Sequence, residues 1–278
     1  MLGREGACTL ITMMTQYRIL PQLVLCLTVA HAALGCGDDS EDDDRTVSGD
    51  GDGDTKGPGD ATAPTIPANY DPDTPFAIDV TASDFADEIT HPFFPAKAGA
   101  TWVFESADGA ERIEMRVEAE KRSVWGVEAT VIRDTVFDDG EMVEDTWDWY
   151  AQNKDGNVWY LGEETYEYED GEVVCECGAW ESGEDGALPG IIMLADPMAG
   201  DMYRQEYYAG KAEDLGEVLA TDAEVMVPAG AWTDCIKIRD SSAIAEGTGD
   251  KYYCAGVGFA LEDEDGVRVE LIEYSGLD

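Results

Sequence analysis

Asp-Gly pairs punctuate the later part of the chain at Asp108-Gly109, Asp139-Gly140, Asp155-Gly156, Asp170-Gly171 and Asp265-Gly266. Such a pair accepts positive φ at both central positions, which a two-residue hairpin needs to match the twist of its strands. Each is flanked by alternating or β-branched and aromatic residues, so each reads as a reversal between antiparallel strands. Ile113, Met115, Val117 and Ala119 alternate with Arg112, Glu114, Arg116 and Glu118. That period of two puts one face on a core and the other in water. Segments 101–106, 111–119, 125–137, 141–152, 157–168, 172–180, 202–210, 214–227, 233–240, 250–262 and 267–274 read as strands. Only 81–89 reads as helix, with Ser83 or Asp84 as N-cap. So many strands with so little helix must curl or close to protect their edges. The expected fold is mainly β: a single antiparallel meander forming a strongly curved sheet or open barrel.

One hairpin can be read to its register. A two-residue turn at Asp155-Gly156 sets Lys154 opposite Asn157, Tyr150 opposite Leu161 and Trp149 opposite Gly162. A large ring over a strand glycine covers bare backbone. The stripe Trp147, Trp149, Trp159, Tyr160, Tyr166, Tyr168 and Trp180 invites a sugar-stacking reading. Core and cross-strand packing accounts for it better.

The N-terminal region is different. An apolar run from Ile19 to Leu34 follows Arg18 and ends in Ala33-Leu34-Gly35-Cys36. It is interrupted by Pro21, Gln22 and His31 and is too short for a membrane-spanning helix, which needs ~20 apolar residues. It resembles a bacterial lipoprotein signal peptide, although Ala33 stands where that family usually has Leu. The resemblance implies that residues 1–35 are removed and that Cys36 carries the lipid, a dual acylation that anchors stably. Gly37, rather than Asp, after the cysteine favours the outer membrane, with the domain periplasmic or surface-exposed. Residues 36–75 then form an acidic Gly/Asp/Pro linker, which cannot bury enough apolar surface to order itself. Within it, Asp50-x-Asp52-x-Asp54 resembles the start of a calcium loop. Thr55 and Ala61 stand where that loop needs Gly and a bidentate Glu, so a solvated tether is the better reading. Residues 76–278 are left as one antiparallel β domain.

Further likeness lies in the domain. Pro92-Phe93-Phe94-Pro95, Lys97, Gly99 and Thr101-Trp102-Val103-Phe104 resemble the opening of a group of uncharacterised bacterial secreted proteins and lipoproteins. So do Asp148-Trp149-Tyr150-Ala151-Gln152, Asp155 to Tyr160, Tyr203-Arg204-Gln205-Glu206-Tyr207 and Tyr252 to Gly258. The resemblance covers about 90–275 and implies no activity. At the level of fold the meander is similar to the open barrels of lipoprotein-localisation factors, which licenses no function.

Charge and residue inventory narrow the chemistry. With 61 acidic against 17 basic residues, the formal charge is −44. That field repels nucleic acid and favours cations or basic partners. After residue 36 the only histidine is His91, expected at the domain's edge as a surface or capping residue, so histidine-based triads and multi-histidine zinc sites have no material. No phosphate-binding glycine loop is present, and no cofactor is expected. Cys235 and Cys254 lie on consecutive strands. Pairing 240 with 249 sets them opposite one another, close enough for a disulfide in an oxidising compartment. Cys175 and Cys177 share a strand face and could bridge each other or hold a soft metal, the structural role being favoured. The apolar run Pro189 to Pro197, with Ile191, Ile192, Met193 and Leu194, reads either as a ligand lip over a barrel mouth or as a connection plugging the sheet's open side. The expected function is a membrane-anchored, non-catalytic β domain that binds a ligand or braces the envelope. A carrier of an apolar ligand in a curved-sheet cavity is the alternative, and a carboxylate-dependent hydrolase the third.

Replacing Cys36 with Ala is expected to release the protein from membranes and to abolish labelling by radioactive palmitate. Fractionation of cells expressing both forms checks it, and equal membrane retention would sink the anchor.

Overall fold

The structure, a computed structural model, describes residues 80–277. The signal peptide, Cys36, the linker with its Asp50 loop, and the first residues of the 76–278 domain lie outside the described residues. Sixteen strands follow one another: β1 (Thr101–Ser106), β2 (Glu111–Val117), β3 (Arg122–Val124), β4 (Val127–Asp138), β5 (Glu141–Gln152), β6 (Val158–Glu169), β7 (Glu172–Cys175), β8 (Trp180–Glu181), β9 (Leu188–Met193), β10 (Met202–Arg204), β11 (Glu206–Tyr207), β12 (Asp214–Val227), β13 (Gly230–Ser242), β14 (Thr248–Cys254), β15 (Gly258–Glu264) and β16 (Val267–Ser275). No helix among the described residues is long and apolar enough to cross a membrane.

The Asp-Gly turns do what their chemistry allows. Asp139-Gly140, Asp170-Gly171 and Asp265-Gly266 carry positive φ at both residues and join directly paired strand ends such as Asp138 and Glu141. Asp185-Gly186, passed over in the sequence, turns the same way between β8 and β9. At Asp155-Gly156 the reversal is one residue longer, with Gln152 opposite Val158, and a bulge after Trp149 absorbs the difference. The two departures cancel, so Trp149 does face Gly162, while Tyr150 faces Tyr160 instead of Leu161.

Segment 81–89 is not a helix. A single 3-10 turn, Ala82–Asp84, is followed by extended chain. Phe85 bridges to Asn153 and packs its ring on Trp159, while the Ala86 N–H donates to Gln152. Those contacts take the backbone groups a helix would have used. Runs expected as single strands are also divided. Gly256 and Gly258, both at positive φ, split 250–262 into β14 and β15.

The strands form one antiparallel sheet in the order β10-β12-β13-β14-β15-β16-β1-β2-β4-β5-β6-β9-β11. β16 pairs with β1, from Thr101 opposite Ser275 to Ser106 opposite Val269, so the meander curls until its two ends meet. The result is a nearly closed, barrel-like sheet with one unsealed seam. Met202–Arg204 pairs with β12 and Glu206–Tyr207 with β9, so one short stretch of chain touches both edges. The two sides approach closely there, because Gly190 leaves room for the backbone of Gln205. A Cβ on residue 190 would lie 2.2 Å from the Gln205 carbonyl carbon.

The interior is graded from end to end. Near the end closed by Pro92–Ala100, the inner face carries Trp102, Phe104, Val117, Ile236, Tyr253, Phe259 and Leu271, all buried. Toward the end that carries the Asp139-Gly140 and Asp265-Gly266 turns the same faces become acidic. Ile132 gives way to Asp134, Tyr150 to Asp148 and Glu144, Ile238 to Asp240, and Phe259 to Glu262 and Glu264.

Gly190→Ala is expected to cost roughly 3 kcal/mol, the upper end for forcing an extra methyl into packed backbone. Gly249→Ala should cost less, because its nearest neighbour is the side-chain end of Glu262 at 3.2 Å rather than backbone. Urea midpoints of the two variants rank them.

Candidate functional site

A cavity of about 90 Å3 sits where the two halves of the interior meet. Phe94, Tyr150, Tyr160, Ile192, Tyr253 and Phe259 supply its apolar wall, and Glu206, Asp214, Asp240, Glu262 and Glu264 its acidic one. Tyr150 and Tyr160 stack at 4.8 Å, and Phe94 meets Tyr150 edge-on at 5.0 Å. Its mouth is formed by Ser241 and Gly247–Gly249, where β13 turns into β14.

Among the described residues, Lys251 is the only basic side chain lining the cavity. Its Nζ lies 2.7 Å from Asp240 Oδ2, and across the β14–β15 pair it faces Glu262. Burial pulls the lysine's pKa down, but the carboxylates of Asp240 and Glu262 outweigh it and hold the ammonium charged. Gln205 Nε2 donates to the other oxygen of Asp240 at 2.9 Å. The remaining acids are less well served. Glu262 is 3% exposed and its Oε2 has no partner, and Asp214 Oδ1 has none either. Burial pushes Asp214 up to about 7 and Glu262 up to about 8. Glu206, also driven well up by burial and by Asp214 beside it, accepts from the Trp180 indole at 3.1 Å.

A second acid group lies deeper, outside the cavity wall. Tyr160 Oη is 2.6 Å from Asp148 Oδ1 and 3.0 Å from Glu163 Oε2. The phenol has one proton to give, so with it on Asp148 the second contact needs a proton on Glu163. Burial, then the charge of Asp148, holds Glu163 well above the usual carboxyl range, while Asp148 is pushed to about 7. Asp134, fully enclosed with Oδ1 unpartnered, is raised strongly for the same reason. Glu111 and Glu144 rise to about 7.

The residues singled out in the sequence fall in several places. Cys235 and Cys254 are bridged, in the register expected, with Asp240 opposite Gly249. Cys175 and Cys177 are also bridged to each other, beside Glu167. The apolar run is held as strand β9, paired to β6 and β11. Within it Ile191 and Met193 are buried, Ile192 reaches the cavity, and Leu194 is half-buried. His91 is not at the surface. It is 5% exposed, and its Nδ1 accepts from the Phe93 N–H at 3.3 Å. Nε2, which then carries the proton, donates to the Leu194 carbonyl at 3.0 Å. Its edge position in the sequence misled because Pro92–Pro95 folds back over the barrel end. The aromatic stripe divides between faces. Tyr160 points inward, whereas Trp147 and Trp149 lie outside beneath the guanidinium groups of Arg133 and Arg122, 4.9 and 3.8 Å from their centres.

The interior acids went unread in the sequence. The signal was present but faint: Asp134 shares a face with Ile132 and Val136, and Asp148 with Tyr150, at period-two spacing. In a chain this acidic such residues pass for solvated charge.

No protein family matches the chain, and no curated protein or solved structure is similar to it.

The raised carboxyls make stability depend on pH in a definite direction. The folded state keeps protons that the unfolded chain gives up from about pH 4.5. Stability is therefore expected to fall as pH rises from 5 to 8, roughly 1.4 kcal/mol per retained proton for each pH unit. His91 acts oppositely, since burial lowers its pKa and its contribution is lost as pH drops through the ordinary histidine value. Thermal midpoints across this range check the slope, and Asp148→Asn with Glu163→Gln should flatten it. A midpoint that climbs toward pH 8 would contradict the account.

Proposed function

We propose that this chain is a lipoprotein, held to the outer membrane by acyl chains on Cys36, whose β domain works by binding a small ligand rather than by catalysis. The observation that carries the reading is the cavity, enclosed by aromatic rings on one side and carboxyls on the other, with a mouth at the β13–β14 turn. A filled core would have favoured a purely bracing role. A wholly apolar cavity would have favoured a carrier of an apolar ligand, and here five carboxyl side chains stand in an otherwise largely apolar wall.

A hydrolase reading is less well supported. Glycoside cleavage needs two carboxyls flanking a bond between two rings. A cavity of about 90 Å3 is smaller than the ~150 Å3 that accommodates one benzene. Asp148 and Glu163 are buried and both tied to the Tyr160 hydroxyl, and His91 is committed to backbone partners.

Methyl NMR on the full chain in mild detergent tests the binding. Three-carbon probes, charged and neutral, are expected to shift the Met115 and Ile192 methyls saturably, since both side chains line the cavity. Shifts that are linear with every probe, or spread over the surface, would overturn the reading.

A further inference from the structure

The cavity wall contains more negative groups than it can satisfy. Five carboxyls line it, and the single ammonium of Lys251 is committed to Asp240 at 2.7 Å and faces Glu262. Glu262 Oε2 and Asp214 Oδ1 are enclosed without a donor. An enclosed carboxyl oxygen without a partner is costly even when neutral. Both residues line the cavity, and an unpartnered oxygen on each leaves a need for a donor that the chain does not supply.

The kind of donor follows from spacing and lining. A calcium ion needs six to eight oxygens at roughly 2.3–2.6 Å. Among the described residues, the only three acidic or cysteine groups whose ligand atoms lie within 4.8 Å of one another are Glu167, Cys175 and Cys177, outside this cavity. The interior carboxyls stand too far apart to converge on one ion. The opposite wall is aromatic, which suits an alkyl chain and the face-on approach of a cation. The volume of about 90 Å3 admits a molecule of roughly four heavy atoms, judged against the ~150 Å3 that holds benzene.

We propose that the cavity is a site for a small organic ammonium ion, its charged head directed to Asp214 and Glu262 and its alkyl part laid against Tyr253 and Phe259. The proposal rests on the binding reading above and names the ligand class for the same site. Binding draws on the groups around the two acids. Glu262 is faced by Lys251 on β14, Asp240 on β13, Glu111 on β2 and Glu264 on its own strand. Asp214 is faced by Ser242 and Asp240 on β13, Lys251 on β14 and Glu206 on β11. An arriving ammonium favours the ionised form of both acids, so protons leave as it enters.

The test compares n-propylamine, propan-1-ol and calcium chloride on the full chain in mild detergent, at pH 8 and equal ionic strength. The amine should bind saturably and about tenfold or more tighter than the alcohol, a difference of about 1.4 kcal/mol. Its affinity should rise between pH 6 and 8, with proton release measurable in buffers of different ionisation enthalpy. Glu262→Gln should weaken the amine about tenfold and leave the alcohol nearly unchanged. If that variant does not fold, Asp214→Asn gives the same comparison. Alcohol binding as tight as the amine's would overturn the ammonium site while leaving a binding cavity. Displacement of the amine by calcium, at matched ionic strength, would replace it with a metal site. No saturable binding by any probe would remove both this proposal and the binding reading.

Discussion

The enclosure of carboxyls around Lys251 is the constraint on which the rest of the structure depends. An isolated ionised carboxylate in a low-dielectric interior is so unfavourable that it takes up a proton or finds a partner. This barrel uses both solutions. Asp240 and Glu262 share the lysine, which they keep charged against its burial. Glu163 keeps a proton and passes the hydrogen bonding to Tyr160 and Asp148. The sheet can close over these groups only while that arrangement holds, and so the polar half of the interior is tied to solution conditions in a way the apolar half is not.

The two halves divide the labour of holding the barrel. At the closed end, Trp102 donates to the Val257 carbonyl at 2.7 Å and Phe104 packs on Phe259 at 4.7 Å, so β1 is tied to the β14–β15 turn and to β15. The Cys235–Cys254 bridge ties β13 to β14 in the same region. Outside, guanidinium groups cover the tryptophan faces. Arg133 is bidentate with Asp145, both contacts at 2.7 Å, while stacked over Trp147. Arg122, over Trp149 and 2.9 Å from Glu181, likewise both pairs a carboxylate and shields a ring.

How much of this was legible in the sequence varies by level. Local turn chemistry carried well, because Asp139-Gly140, Asp170-Gly171 and Asp265-Gly266 specify their backbone almost alone. From those reversals follow the antiparallel order and the curled, mainly β architecture. The Cys235–Cys254 register was readable for the same reason, being counted outward from one turn. Less local features were not. Strand β9 hid behind Pro189 and Pro197, since a continuous apolar run has no period to betray it. The helix expected at 81–89 lost to contacts with Asn153 and Trp159, some seventy residues distant, which no local propensity records. The cavity depends on five strands bringing Glu206, Asp214, Asp240, Lys251 and Glu262 together, and pairings across a seam are not written in any one segment.

The pairing of β1 with β16 has a consequence for the order of events during synthesis. Thr101 and Ser275 share a hydrogen bond across a separation of 174 residues. A chain that emerges N-terminus first can form the hairpins from β2 to β6 as they appear. β1 meanwhile has a partner on one edge only, and the interior acids have no lysine, because Lys251 is still to come. Loop closure over such a distance is slow, and an unpaired edge is exposed for as long as it takes. Vectorial production and folding are therefore out of step in this protein: the half-made barrel is an open, highly charged ribbon whose own repulsion keeps it apart from its neighbours until the last strands arrive.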